Sequence, residues 1–466
     1  MKSVLNKNIQ IQEILLFLLS FLLPVLFGLN AQSFIFASLF SITSIFIFKS
    51  LVYKHIGIAK VYSVIIWVQI FFYFMILWNY STSITIGSIE EPYIRGDAGT
   101  YYLLAKQIGD SSNFLSEITQ IRRINYIGYP FFLGFIFKIF YTDLLVGMLF
   151  SMFAGILNIF LISYILKLIT NTEKIIYTGV FLTAISPHLA STATIILKDV
   201  FIISSLLIII FSALLMLQKR KVKYFILLFI GLIIIAFLRL PYLVIFLGIF
   251  FILFFQKMNF RSVLVGSIIF IAGLSIINIS SQFSAFNYFS DGTNLLMDQT
   301  ETITNNWNTE SNNSVTGRLV YGYQNWSIIR KIIYIPIFTT IQYLHPFNVW
   351  KINHEYPWHY IGINFNLIWL LYLGPLVIFS FLNLKKINNS IIKKLLIISG
   401  LGYVFIALTY GGTIPRYSFP FIAIFFIGSA YVYSNTPLKR KFKNFLQLYL
   451  FLGLVLVSTY LVFKAI

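Results

Sequence analysis

Apolar residues in this chain run together instead of alternating with polar ones. Stretches of Ile, Leu, Phe and Val, each roughly 16 to 22 residues long, are separated by short polar breaks. At about 1.5 Å per residue, such a run crosses a hydrocarbon core of about 30 Å as a helix. A helix apolar on every face has no place on the surface of a soluble fold. The pattern predicts spans at 11–29, 33–48, 61–80, 144–167, 175–191, 200–217, 224–240, 241–256, 262–279, 363–382, 393–410, 418–434 and 445–463, about thirteen in all. The expected fold class is an all-α, polytopic transmembrane helix bundle. Pro241 turns the chain between two of these spans.

Two long segments do not fit a span. The first, 79–143, ends in an apolar stretch from Gly128 to Tyr141 that is too short to cross and reads as an interfacial or re-entrant helix. The second, 280–362, is rich in Asn, Thr and Ser at first and then amphipathic and aromatic from Arg330 to Trp350, as expected of a helix on the membrane surface. The chain divides accordingly into an N-terminal transmembrane module (1–279), the second loop (280–362) and C-terminal transmembrane helices (363–466).

Composition agrees. Hydrophobic residues make up 59% and charged residues 10%, against about 25% charged in a soluble domain. A net charge of +20 would admit nucleic acid as a partner. The basic residues, however, sit at the ends of apolar runs and form no polar stripe, so that partner is set aside. The absence of cysteine excludes disulfides, thiolate zinc sites and cysteine nucleophiles. The N-terminal run lacks a small-residue cleavage pattern and is read as a first span. With the N-terminus inside, 21 of the 34 basic residues fall on cytoplasmic segments, with Glu13 and Glu173 as the only acids there. That asymmetry is the positive-inside pattern. The bias towards Asn, Lys, Ile and Phe fits an AT-rich bacterial genome, hence a bacterial cytoplasmic membrane.

Chemistry is then expected among the few outer charges, because an ionisable group near bilayer depth is costly. Asp97, in Arg95-Gly96-Asp97, lies at the start of an amphipathic helix, where it is either a helix cap or a general base towards a hydroxyl. Arg122 and Arg123 precede Gly128-Tyr129-Pro130, and their guanidinium forks suit phosphate oxygens or lipid headgroups. Pro187 ends one span, and Lys198-Asp199 opens the next as a functional or a mutually compensating pair. Arg239 and Arg416-Tyr417 lie at outer turns beside Pro241 and Pro415, where an arginine either snorkels to headgroups or grips a ligand. His354-Glu355-Tyr356-Pro357-Trp358-His359 is spaced one residue too long for a zinc helix and is broken by Pro357. No Walker-type loop is present. The sequence therefore implies no cofactor, and a divalent cation has no ligand set in it.

These segments resemble the GT-C superfamily of multispanning glycosyltransferases, especially the family-39-like bacterial enzymes. The resemblance covers roughly residues 95–211 and the segments around Arg239 and Arg416. It rests on Gly96-Asp97 followed by Tyr101 or Tyr102 and Leu104-Ala105, then Arg122 or Arg123 with Gly128-Tyr129-Pro130. Pro187 with Asp199, and Arg416-Tyr417 with Pro420, complete it. The chain departs from the pattern at Asp97-Ala98, where a tandem acidic pair is common, and in carrying two spans before the usual first one. The resemblance implies a GT-C-like fold with outer interfacial helices and a polyprenyl-phosphate-linked sugar as donor. It implies a cell-surface glycan or lipid as acceptor, and inversion at the sugar C1. By the same resemblance Asp97 is the catalytic base. Arg122, Arg123, Tyr101, Lys198, Asp199, Arg239, Arg416 and Tyr417 bind substrate. Two rivals remain at this point. One is an O-antigen or capsular polysaccharide polymerase using lipid-pyrophosphate-linked repeats, which would lean on Arg122, Arg123, Arg318 and Arg330. The other is a lipid-linked-sugar flippase, which would need polar groups along a path through the bilayer.

Overall fold

The computed structural model describes residues 2–88, 92, 94, 96–112, 128–219, 223–239, 242–243, 246–250, 333–344, 367–410 and 415–465. Hydrocarbon offers no hydrogen bonds to backbone N–H and C=O groups. A helix satisfies all of them within one segment, and every regular element among the described residues is helical. In chain order these are α1 (Lys2–Leu26), α2 (Ala31–His55), α3 (Ala59–Ile86), α4 (Gly96–Asp110), α5 (Gly128–Ile139), α6 (Leu144–Ile169), α7 (Glu173–Ala184), α8 (Pro187–Ala193), α9 (Asp199–Lys219), α10 (Lys223–Leu238), α11 (Ile335–Leu344), α12 (Gly374–Leu382), α13 (Ser390–Tyr410), α14 (Phe419–Ser434) and α15 (Thr436–Ala465).

Six of the described helices are long and apolar enough to cross a bilayer: 8–26 of α1, α2, α3, α6, α9 and 390–407 of α13. A seventh candidate is the pair α14 and α15, bent by 106°. The thirteen expected spans are thus met only in part. The stretch 175–191 is not one helix. It breaks at Ile185–Ser186 into α7 and α8, because Pro187 lacks an N–H and is better placed at the first turn of a new helix. The expected span 224–240 appears as α10, only 16 residues long. The expected helix 33–48 proves longer, 25 residues. Within 363–382 the chain forms one π-helical turn, Trp369–Leu373, just before Gly374-Pro375, the register shift expected where a proline interrupts the hydrogen-bond ladder. The span 262–279 lies outside the described residues, as does most of 241–256.

α6 and α9 are central, with most of their residues buried, and α10 packs along α9. α1 and α15 are peripheral. Their outward faces expose large apolar side chains such as Leu26 (77%) and Leu454 (68%), the inside-out pattern of a lipid-facing surface. α11 docks on the C-terminal helices: its Tyr343 carbonyl accepts from Trp369 Nε1 at 3.1 Å, and its Tyr343 hydroxyl lies 3.1 Å from that of Tyr449.

Side-chain contacts show which helix ends lie together. At one end Lys49 pairs with Glu13 at 2.8 Å, Ser63 donates to Gln12, and Gln218 donates to the Leu168 carbonyl. Ser434 meets Thr178 there, and His55 stacks near Tyr164. This end carries Lys49, Lys54, Lys60, Lys167, Lys174, Lys219, Lys223, Lys393 and Lys439 among others, forming a basic collar. At the other end Tyr80 and Ser33 meet Asp143, and Asn79 donates to the Thr194 carbonyl. The alternation predicted from charge is therefore present as two chemically distinct ends.

The first three helices are tied by small polar groups. Ser20 donates to Ser41 at 2.9 Å, Ser38 to the Ser20 carbonyl at 2.8 Å, and Gln69 to the Ser41 carbonyl at 2.9 Å and also to Ser44. Small residues let helices approach, and each hydrogen bond between helices contributes about 0.6 to 2 kcal/mol. Replacing Gln69 by Leu leaves these acceptors without their shared donor. Gln69→Leu is expected to lower the thermal unfolding midpoint in detergent, by an amount equivalent to about 1 kcal/mol. Thr85→Ala, which removes only an exposed bond to the Ser81 carbonyl of its own helix, is expected to leave the midpoint unchanged.

Candidate functional site

Of the site residues predicted from sequence, Asp97, Tyr101, Lys198, Asp199, Arg239 and Tyr417 are described with their side chains, and they lie at the end opposite the basic collar. α4 lies along α5, and α5 reaches α6 and α10. Asp97 is half-buried in the first turn of α4, where the helix dipole favours a negative charge. Tyr101, one turn further on, is buried, and its ring meets that of Tyr129 edge-on at 5.2 Å. The Lys198 ammonium sits over the Tyr101 ring at 5.5 Å. Lys198 immediately precedes α9, whose first residue, Asp199, is buried at 3% exposure. Tyr129 in turn packs against Phe201 of α9 at 5.6 Å. Asp97 and Lys198 are thus brought to the same small region by a wall of aromatic rings, although about a hundred residues separate them in sequence.

A second cation stands on the same rim. The end of α10 comes so close to the start of α5 that any side chain at Gly128 would overlap the Phe237 carbonyl. Two residues beyond Phe237, the Arg239 guanidinium carbon lies over Tyr417, 3.3 Å from the ring centroid, and 5.5 Å from that of Tyr242. The Tyr242 hydroxyl donates to the Tyr417 carbonyl, fixing the 3-10 turn Pro415–Ser418 that carries both Arg416 and Tyr417. Cation–π contacts of this kind stabilise by about 0.5 to 2 kcal/mol. Gly128 therefore has a structural task that spacing alone could not reveal, joining the Tyr101–Lys198 group to the Arg239–Tyr417 group.

The arrangement covers Asp97, Tyr101, Lys198, Asp199, Arg239 and Tyr417. Arg122 and Arg123 lie outside the described residues, as do Arg95, Pro241, Arg318, Arg330 and the segment from His354 to His359. Arg416 is described in its backbone only. Among the described residues no three His, Asp or Glu side chains gather where they could hold a metal ion. No protein-family model matches the chain, and neither a curated protein nor a solved structure matches it significantly.

Asp143, the last residue of the 79–143 segment, is a further acid, half-buried at the start of α6. It caps α6 by accepting from the Leu145 N–H at 2.9 Å, and it accepts from Ser33 at 2.9 Å and Tyr80 at 3.1 Å. The cap was legible as an Asp directly before an apolar run; its partners on α2 and α3 were not. Burial holds its carboxyl above the ordinary aspartate range, against the downward pull of those three hydrogen bonds. The unfolded chain then ionises first as pH rises. The stability contributed by this group is fully present below the ordinary Asp value and is lost as pH climbs through the raised folded value. Thermal unfolding of the wild type in detergent, from about pH 4 upward, is expected to show that decline, and Asp143→Asn is expected to remove it.

Proposed function

We propose that this chain is a membrane glycosyltransferase, moving a sugar from a polyprenyl-phosphate donor to a cell-surface glycan or lipid acceptor. It works at the bundle end opposite the basic collar. By the positive-inside rule the collar and the N-terminus face the cytoplasm, and the site faces outwards across a bacterial cytoplasmic membrane. The observation that carries the reading is the contact between Lys198 and Tyr101, one helical turn from Asp97. Asp97 opens the helix on whose Tyr101 ring Lys198 rests, and Arg239 stands over Tyr417 at the same end of the bundle.

The chemistry follows from those charges. An acceptor hydroxyl attacks C1 of the sugar from the face opposite the phosphate. Asp97 takes the hydroxyl proton as the new C1–O bond forms. The bond from C1 to the phosphate oxygen breaks, and its electron pair departs with polyprenyl phosphate. Cations fixed in advance where that negative charge collects lower the barrier, because they need no reorganisation during reaction. Lys198, Arg239 and Arg416 are assigned that task, together with Arg122 and Arg123, which lie outside the described residues. Asp199 holds the start of α9, and Tyr101 and Tyr417 hold the cations.

Asp97→Asn keeps the size and polarity of the side chain but cannot take a proton. It is expected to lower transfer from a polyprenyl-phosphate sugar by about 100-fold or more, with folding and membrane insertion unchanged. Full activity in that variant would remove the assigned base. Loss confined to Arg122→Ala, Arg123→Ala or Arg318→Ala would point instead to a polymerase, and movement of lipid-linked sugar with no glycosidic bond formed would point to a flippase.

A further inference from the structure

A second feature lies at the other end of the bundle and belongs to none of the chemistry above. Along α3, Lys60, Ser63, Val64, Trp67, Val68 and Phe71 form a single stripe at helical spacing. Facing it are Tyr177, Phe181 and Ala184 of α7 and Ile185 just past its end, with Ile368 also in the lining. Between the two stripes runs a groove of about 690 Å³, within the ~300–1,000 Å³ typical of small-molecule sites. It opens sideways, where Trp67 and Phe181 are exposed by 49% and 43%.

The lining is graded. Lys60, Ser63 and Tyr177 occupy the end at the basic collar, and everything deeper is apolar. From Lys60 to Phe71 the groove covers about 16 Å of helix, close to half of a ~30 Å hydrocarbon core. The acids at that end do not line the groove: Glu13 is paired with Lys49 at 2.8 Å, and neither Glu13 nor Glu173 is among the lining residues. We infer that this groove binds one glycerophospholipid with an anionic headgroup, its phosphate at Lys60 and one acyl chain along Trp67 and Phe71. A polyprenyl chain would outrun a groove that stops at mid-membrane, whereas an acyl chain of one leaflet fits it. The inference depends on neither the transferase reading nor the orientation of the chain, because no residue of the groove belongs to the site at the opposite end.

Trp67 is itself the probe. The full chain is placed in phosphatidylcholine vesicles containing about one lipid in ten with brominated acyl chains, either phosphatidylglycerol or phosphatidylcholine. The Trp67 signal is isolated from the chain's seven tryptophans by subtracting the Trp67→Phe protein. Brominated phosphatidylglycerol is expected to quench Trp67 as though enriched about fivefold over brominated phosphatidylcholine. Lys60→Gln, an exposed substitution whose folding is checked by circular dichroism, is expected to abolish that preference. Equal quenching by the two lipids would overturn the inference and leave an ordinary lipid-facing surface. So would a preference that survives in Lys60→Gln, which would reflect the collar as a whole.

Discussion

The dryness of the hydrocarbon core governs this molecule. Peptide groups there have no water to bond, so the chain pairs them within helices, and charged side chains are driven to the helix ends. Two ends result, and they differ because most of the lysines lie at one of them. One carries the collar around the Lys49–Glu13 pair. The other carries a mixed set in which Asp97, Asp143 and Asp199 stand among Lys198 and Arg239. A bundle built this way has room for reactive polar groups only at its rims or in small satisfied clusters inside, such as the serine and glutamine ties of α1, α2 and α3.

The mixed rim holds its cations with aromatic rings. Lys198 rests on Tyr101, and Arg239 rests on Tyr417. A ring face attracts a cation through its quadrupole. The rings also fix position: Tyr101 is wedged against Tyr129, and Tyr129 against Phe201, so α4, α5 and α9 are locked where the cation sits. This is the geometry expected of a surface prepared for an anion at the membrane boundary. It gives the proposed transferase reading its physical basis.

The broken helices bring distant segments together. The break before Pro187 turns the chain into the interior of the bundle, where α8 is buried with His188 edge-on to Trp369 at 4.5 Å and Phe419 at 4.6 Å. The π-helical turn before Gly374-Pro375 puts that Trp369 in reach and leaves Gly374 bare for the ring of Tyr343. Interruptions of the regular ladder thus coincide with the places where distant segments meet.

Much of this was present in the linear pattern. Apolar runs forecast the long helices α2, α3, α6, α9 and α13, since hydrophobicity and helix length are local properties that each run carries in itself. Charge asymmetry forecast which helix ends share a side, and Asp97, Tyr101, Lys198 and Arg239 stood out as rare outer charges with their neighbours. The runs overstated continuity at 175–191, where hydropathy cannot register the cost of a missing proline N–H. They gave no sign that Asp143 would be enclosed by Ser33 and Tyr80, or that Gly128 would touch the Phe237 carbonyl. Periodicity tells each helix which face to bury. Which other helix it meets is settled by side-chain packing between segments a hundred residues apart, and that packing alone stood Lys198 on Tyr101 and Arg239 on Tyr417.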